Sequence, residues 1–253
     1  INIVRTFGYE VDSLDINTSN KRWEIIDNKL VPPLTTIKGL GDAAIDEIMY
    51  KRPFLSVEDL LFDKGVVARK VNKKSLDAMC RAGAMESLMD ERFFGSKHFW
   101  SAVVVDKPKN KKKLGENIKK YKKEGNFTKG EQINHLQALT GIYPINMVVP
   151  VKAYDFFESQ GIMPLSEYDK ELGKGWCIPT EVNLKKTKTG KPYYQVTVID
   201  SSMETQRINC WGVDPKRDFI YPHRMYVLEW PQYNETWGFS TRGGLSRNWK
   251  LLG

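Results

Sequence analysis

Apolar residues keep a helical period in the first part of this chain and an alternating one in the last. Leu34, Ile37 and Leu40 precede Ala44, Ile45 and Ile48, whose spacing predicts one face of a helix capped by Asp42 and ended at Lys51-Arg52-Pro53. Ser56 with Asp59 forms an imperfect capping box ahead of a short helix from Val57 to Phe62. Asn72 or Ser75 opens another helix, with Leu76, Met79 and Cys80 inward and Gly83 as its stop. Upstream, Trp23 to Leu30 reads as a short strand pair halted by Val31-Pro32-Pro33. From about Trp176 the pattern alternates in short runs broken by Gly, Pro and Asn. It predicts antiparallel strands near 176–185, 192–200, 205–211, 224–231 and 236–240, the five of a small Greek-key barrel.

This patterning predicts an α + β multidomain chain. Residues 1–30 form an extended lead-in, 31–90 a tandem helix-hairpin-helix domain, 91–172 a lysine-rich linker with helical segments, and 173–253 a five-stranded OB-type barrel. In the linker, Lys107, Lys109 and Lys111 to Lys113 are followed by Lys119, Lys120, Lys122 and Lys123. Charge this dense is compatible with a solvated linker or helix face and with a segment that tracks phosphates.

A formal charge of +8 favours a polyanionic partner, because lysine and arginine near phosphates release condensed counterions. Nucleic acid fits better than an anionic membrane: there is no basic amphipathic helix with a continuous apolar face, and no apolar run approaches the ~20 residues of a bilayer span. Cys80, Cys177 and Cys210 are odd in number and far apart, which fits a reducing cytosol, and an opening Ile reads as the start of an excised or processed fragment.

The sharpest motif is Ile37-Lys38-Gly39-Leu40-Gly41-Asp42-Ala43-Ala44-Ile45, two glycines around an apolar residue between helical patterns. Glycine permits backbone angles and close approach that a Cβ would block, so amides at the next helix start can face a phosphate, with Lys38 adding charge. An ordinary helix–helix turn is the alternative. Lys73 and Lys74 at one end of the Asn72 helix, and Arg81 and Gly83 at the other, are candidates for a second contact or for a solvated rim. In the barrel, Lys185, Lys186, Lys188 and Lys191 surround a hairpin tip. Among the neighbouring aromatics Tyr193, Tyr194, Trp211, Trp230, Tyr233 and Trp237, we take Tyr194 and Trp211 as base-stacking candidates. Alternation puts Tyr193 and Tyr194 on opposite faces, so one of them at most can stack a base. The tip is no Walker A loop, since Lys185 stands where its first glycine belongs and Pro192 follows Gly190-Lys191.

No catalytic residue, metal site or cofactor is predicted. His98, His135 and His223 are scattered and read as structural, and Asp12 and Asp15 suit turn or capping roles. Independent nuclease chemistry is correspondingly disfavoured.

The order of these segments resembles the C-family replicative DNA polymerases, the alpha subunit of bacterial polymerase III and its phage relatives. Phe7-Gly8-Tyr9-Glu10-Val11, then Leu14-Asp15-Ile16-Asn17-Thr18-Ser19, is similar to the family's glycine-containing strand and its PDIN-x-S stretch, with Leu14 where proline is usual. Ile37 to Ile45 resembles its IKGLG-x-AA hairpin. Arg52-Pro53-Phe54, Ser56 and Asp59-Leu60 follow in family order, as do Val71-Asn72-Lys73 with Leu76 and Ala82-Gly83-Ala84 with Ser87-Leu88. Leu139-Thr140-Gly141 with Pro144-Ile145 resembles the LTGHP segment, and Lys186 to Pro192 the opening hairpin of the OB domain.

The resemblance implies a C-terminal, non-catalytic piece that arrives from a fingers-like domain, grips primer-template duplex with Lys38, Gly39, Leu40, Gly41, Asp42, Lys73, Lys74, Arg81 and Gly83, and holds single-stranded template with the barrel. The palm aspartates and the phosphoesterase-like domain have no counterpart, and Gln137-Ala138-Leu139 lacks the aromatic end of a clamp-binding peptide. The implied partners are DNA, other replication proteins or the rest of the polymerase, in a bacterial or phage-infected cytoplasm. The alternative is a protein-docking module, or a standalone phage protein, with incidental DNA binding.

Overall fold

A computed structural model of the chain describes residues 10–252, and the strand expected at Phe7-Gly8-Tyr9 lies outside the described residues. Contacts divide the chain into two compact units, one ending at Ile142 and one starting at Tyr143.

The first unit opens with β1 (Glu10–Val11), β2 (Glu24–Ile26) and β3 (Lys29–Val31). β3 pairs antiparallel to β2 and parallel to β1. Asp27 and Asn28, at φ 49° and 61°, make the turn between β2 and β3, and Asn and Asp tolerate this region best after glycine. Asp12 and Asp15 serve the backbone: Asp12 Oδ1 accepts from the Ser13 amide and Asp15 Oδ1 from that of Asn17.

Helix α1 (Asp42–Lys51) buries Ala44, Ile45 and Ile48 as its spacing requires, but its N-cap is Gly41, with no side-chain cap. Asp42 is therefore the first helical residue and not the cap. Glu47, buried, accepts from the Val67 amide at 3.1 Å and Lys70 Nζ at 2.7 Å, fastening the following loop to the helix. Helix α2 (Lys73–Arg81) starts at Asn72, whose side chain accepts from the Ser75 amide at 3.1 Å. It ends in a Schellman turn: Gly83, φ 80°, donates to Cys80 O at 3.2 Å, and Ala84 to Met79 O at 2.9 Å.

The 91–142 stretch is folded into this same unit instead of linking two domains. Helix α3 (Ser96–Trp100) runs into a π-helical turn at Ser101–Val105, followed by α4 (Lys111–Lys120) and α5 (Lys129–Thr140). Phe99, Ala102, Val103, Val104, Leu114 and Leu139 join Leu34, Ile45, Leu76 and Met79 in one core. The lysines stay outside, several in ion pairs: Lys111 with Asp63 at 2.8 Å, and Lys113 with Asp106 at 3.4 Å. Buried His98 completes the packing. Its Nδ1 accepts from the Phe94 amide at 3.1 Å and its Nε2 donates to Ile118 O at 3.0 Å, which selects the neutral ring protonated at Nε2.

The second unit begins with α6 (Val151–Ser159), whose Phe157 stacks on Trp176 at 5.1 Å, and β4 (Met163–Pro164). Strand β5 (Lys174–Lys186) shifts register between Pro179 and Glu181, so that one strand serves two neighbours. Its first part pairs with β8 (Tyr226–Glu229), and its second with β6 (Pro192–Ile199). β6 continues to β7 (Thr205–Trp211), then to β10 (Gly238–Arg242), then to β9 (Gln232–Asn234). β7 and β10 are parallel, and the other pairs on this path antiparallel. After α7 (Leu245–Asn248), β11 (Trp249–Leu251) pairs with β8, while β4 pairs with β5.

The result is a curled mixed sheet of eight strands, not five. The strand expected over 224–231 is β8, ended by Trp230 at φ 52° and Pro231, and the strands beyond the expected five are β4, β9 and β11. Cys177, Val196, Val198, Ile208, Cys210 and Leu228 fill its interior. All three cysteines are buried, and burial pushes their thiols up, Cys210 to about 12.

Gly95 has no room for a side chain: a Cβ there would lie 2.3 Å from the Gly125 carbonyl carbon. The neighbouring amides of Ser96 and Lys97 donate to Asn126 Oδ1 at 2.9 Å and to Gly125 O at 3.2 Å. Gly95→Ala is therefore expected to lower stability by about 2–4 kcal/mol in urea unfolding. Glu131 gives a pH signature. Paired with Lys97 and closing the Thr128 capping box, its carboxyl is held down at about 2 against an ordinary 4.5. A depressed carboxylate contributes stability above its unfolded value and loses it as pH falls through the folded one. The gap in urea midpoint between wild type and Glu131→Gln should be constant at neutral pH and shrink from about pH 5 towards 2.

Candidate nucleic-acid interface

In the first unit the candidate surface is the turn before α1. A 3-10 turn, Leu34–Thr36, leads into buried Ile37, then exposed Lys38 and Gly39, buried Leu40 and exposed Gly41. The Leu40 amide returns to Ile37 O at 3.1 Å, and the Lys38 amide donates 2.7 Å to Leu139 O in the last turn of α5. The amides of Gly39, Gly41, Asp42 and Ala43 have no acceptor among the described residues. Four outward N–H groups at a helix start form a concentration of partial positive charge suited to an anion.

The two glycines act differently. Gly39 sits at φ 94°, and a Cβ on it would come 3.3 Å from Lys74 Cε, so the Lys74 stem lies across the turn. Gly41 has extended backbone, φ −80°, and a Cβ there would meet nothing within 4 Å. The fold does not need glycine at 41. Lys38 Nζ lies 3.2 Å from where a Gly141 Cβ would be, beside the carbonyl end of α5, where the helix dipole favours a cation.

The remaining duplex-contact candidates are engaged elsewhere. Lys73 Nζ donates to Val105 O at 2.7 Å. Arg81 is ion-paired with Asp77, which also accepts from Trp100 Nε1 of α3 at 2.7 Å. Gly83 is the Schellman turn residue, at the opposite end of α2 from Lys73 and Lys74, roughly 12 Å away along the axis. The hairpin therefore gathers Lys38, Gly39, Leu40, Gly41, Asp42 and Lys74, and leaves Arg81 and Gly83 apart. Asp42 contributes its amide, and its carboxylate is an unfavourable charge for an anion at this edge.

In the second unit the register aligns Lys185, Tyr193, Trp211 and Arg242 across four adjacent strands. The Tyr193 and Trp211 rings stack at 4.4 Å and 27°, and both are part-exposed. Lys185 Nζ donates to Gln195 Oε1 at 2.6 Å in the next row. Beyond them the tip is closed by its own bonds, Gly190 N to Thr187 O at 3.0 Å and Lys191 N to Thr187 Oγ1 at 3.1 Å, with Lys186, Lys188 and Lys191 exposed.

Tyr194 does not belong to this surface. It is buried, and its hydroxyl donates to Asp218 O at 3.0 Å. The outward ring is Tyr193. The sequence carried the signal, since Tyr194 shares its parity with buried Val196 and Val198. Arg242 was missed because only the parallel β7/β10 pairing brings it beside Trp211.

Tyr143 Oη lies 3.0 Å from His223 Nδ1, and the two rings stack; His135 packs edge-on to Phe127 at 4.8 Å. Among the described residues no group of His, Cys, Asp or Glu is arranged to hold a metal, and no helix is long and apolar enough to cross a membrane.

A helix-hairpin-helix motif model matches residues 8–93. Over 221 residues, 86% of this chain and 25% of the relative, the sequence is 26% identical to the DNA polymerase III subunit alpha of Thermotoga maritima. It is 33% identical over 87 residues to the subunit of that name from Pseudomonas fluorescens, covering 34% of this chain and 7% of that one. It is 40% identical over 88 residues to the PolC-type DNA polymerase III of Bacillus subtilis, covering 33% and 6%. The chain thus spans a quarter or less of the length of these curated relatives.

Tyr194→Phe removes one hydrogen bond from a buried ring. It is expected to lower unfolding stability by about 1 kcal/mol in urea unfolding.

Proposed function

We infer that this chain, a relative of the C-terminal region of the polymerase III alpha subunits, serves as a DNA-binding part of a replicative polymerase. The four unpaired amides of Gly39, Gly41, Asp42 and Ala43, with Lys38 and Lys74 beside them, carry the duplex half of this reading. They suit a backbone phosphate, which is recognised without regard to base sequence. Lys73 strengthens the local field from its place beside Lys74.

For the second unit we propose an OB-type barrel that holds single-stranded template. The strand path β5, β6, β7, β10 and β9, with β8 returning to β5 and a parallel β7/β10 pair, supports the fold reading. The outward Tyr193–Trp211 stack, flanked by Lys185 and Arg242 and continued by Lys186, Lys188 and Lys191, supports the ligand, because stacked aromatics among cations take bases of any sequence. No catalytic residue is part of the proposal.

Anisotropy titrations of a labelled duplex, a primer-template and a single strand at two salt concentrations test it. Lys38→Glu and Lys74→Glu should each weaken duplex binding and lower the log–log salt slope by about one. Gly41→Leu should lose duplex affinity, with unfolding stability lowered only by the roughly 1 kcal/mol of a poorer N-cap, since the position is sterically open. Trp211→Ala should weaken the single strand by about 1–3 kcal/mol and spare the duplex. Salt-independent binding contradicts the reading, and absence of binding to every DNA would favour a protein-docking role.

A further inference from the structure

Of the chain's formal charge of +8, residues 106–124 carry +6, from nine lysines and three carboxylates, and none of the contacts proposed above uses them. Folding brings in one further carboxylate, Asp63 on Lys111 at 2.8 Å. The other three are held locally. Asp106 lies 3.4 Å from Lys113 and 3.8 Å from Lys120, Glu116 lies 3.9 Å from Lys113, and Glu124 lies 3.7 Å from Lys122. Lys107, Lys109, Lys112, Lys119 and Lys123 enter no ion pair among the described residues, so the excess survives folding.

Helix α4 orders this excess. Leu114 and Asn117 form its buried side, so Lys112 and Lys119, seven residues apart, stand one above the other on the outward side, roughly 10 Å apart along the axis. Lys111, Lys112 and Lys113 fill its first turn, which holds no acidic residue and where the helix dipole disfavours cations. Between the outward lysines lies Gly115, where a Cβ would meet nothing within 4 Å. Glycine inside a helix is destabilising, and the packing does not call for one here. Both features burden the free chain, and an anion approaching from outside would relieve the first and use the open backbone of the second.

The surface adjoins the hairpin within the same unit. The Lys74 stem lies across Gly39, Lys73 Nζ reaches Val105 O at 2.7 Å, and Lys107 Nζ returns to Val71 O at 3.1 Å. Composition then selects the ligand. From 106 to 124 no large apolar side chain is exposed and no arginine occurs. The surface therefore offers no anchor for a protein partner, no apolar face for a membrane and no exposed ring for an unpaired base. Charge alone suits the backbone of a duplex.

We propose that α4 and the segment leading into it form a second phosphate-holding surface, which continues the hairpin's hold along the same duplex arm. The proposal rests on the duplex half of the function inferred above. The Lys112–Lys119 span corresponds to about three base-pair rises of one strand.

Anisotropy titrations of the whole chain with duplexes of increasing length, and with a single strand, test it. The triple change Lys112→Gln, Lys119→Gln and Lys123→Gln is expected to weaken a long duplex at least tenfold and to lower its log–log salt slope by about three. Wild-type affinity should rise more steeply with duplex length than that of the triple variant. The urea midpoint and the salt slope for the single strand should not change, and arginine at the same three positions should keep the wild-type affinity. Gly115→Leu should weaken the long duplex without lowering the urea midpoint. An unchanged duplex slope in the triple variant overturns the proposal, and so does an equal loss for single and double strands, which would mark a surface for any polyanion. If Lys38→Glu still weakens the duplex in either case, the hairpin reading stands alone. If the wild-type chain binds no duplex, both fall.

Discussion

The backbone hydrogen bond from Lys38 to Leu139 joins residues a hundred positions apart and orients the turn before α1. With the Lys38 amide used, the chain turns at Gly39, φ 94°, and the amides of Gly39, Gly41, Asp42 and Ala43 are left without an acceptor among the described residues. The same bond places the α5 carbonyl end beneath the Lys38 ammonium. Any loosening of α5 would thus be felt at the hairpin as a change in where its N–H groups point. That dependence explains why α3, α4 and α5 belong to the same body as the hairpin: they form the support against which it is held.

Position 39 and position 41 show two uses of the same residue. Gly39 is required by its own φ and by the Lys74 stem across it. Gly41 is required by neither, so its missing side chain matters only to something arriving from outside. A steric account of the isolated chain explains the first glycine and leaves the second to a ligand.

Much of the architecture was legible from local chemistry. Asn72, the Schellman glycine at 83 and the apolar period of α1 are signals within a few residues of one another, and they determine the elements found there. The lysine-rich stretch was misread because its charge density outweighed Phe99, Val103 and Leu114, whose burial depends on partners far away in sequence. The fourth expected strand is found as β8, and what the local pattern could not reveal is the additional β9 just past Trp230-Pro231, which pairs with β10. At the candidate sites, the hairpin could be read from its glycines and Tyr193 from parity. Arg242 and the engagement of Arg81 with Asp77 arise from tertiary pairing and carry no local mark.

The three cysteines have a consequence outside folding and binding. Each thiol is enclosed in a core, and burial raises all three, so almost no thiolate exists at neutral pH to meet an alkylating or oxidising reagent. The folded chain is in effect a cysteine-free background for site-directed labelling. A single cysteine placed at exposed Lys188 would react alone, and a fluorophore there could report on the hairpin tip without prior mutation of the native thiols.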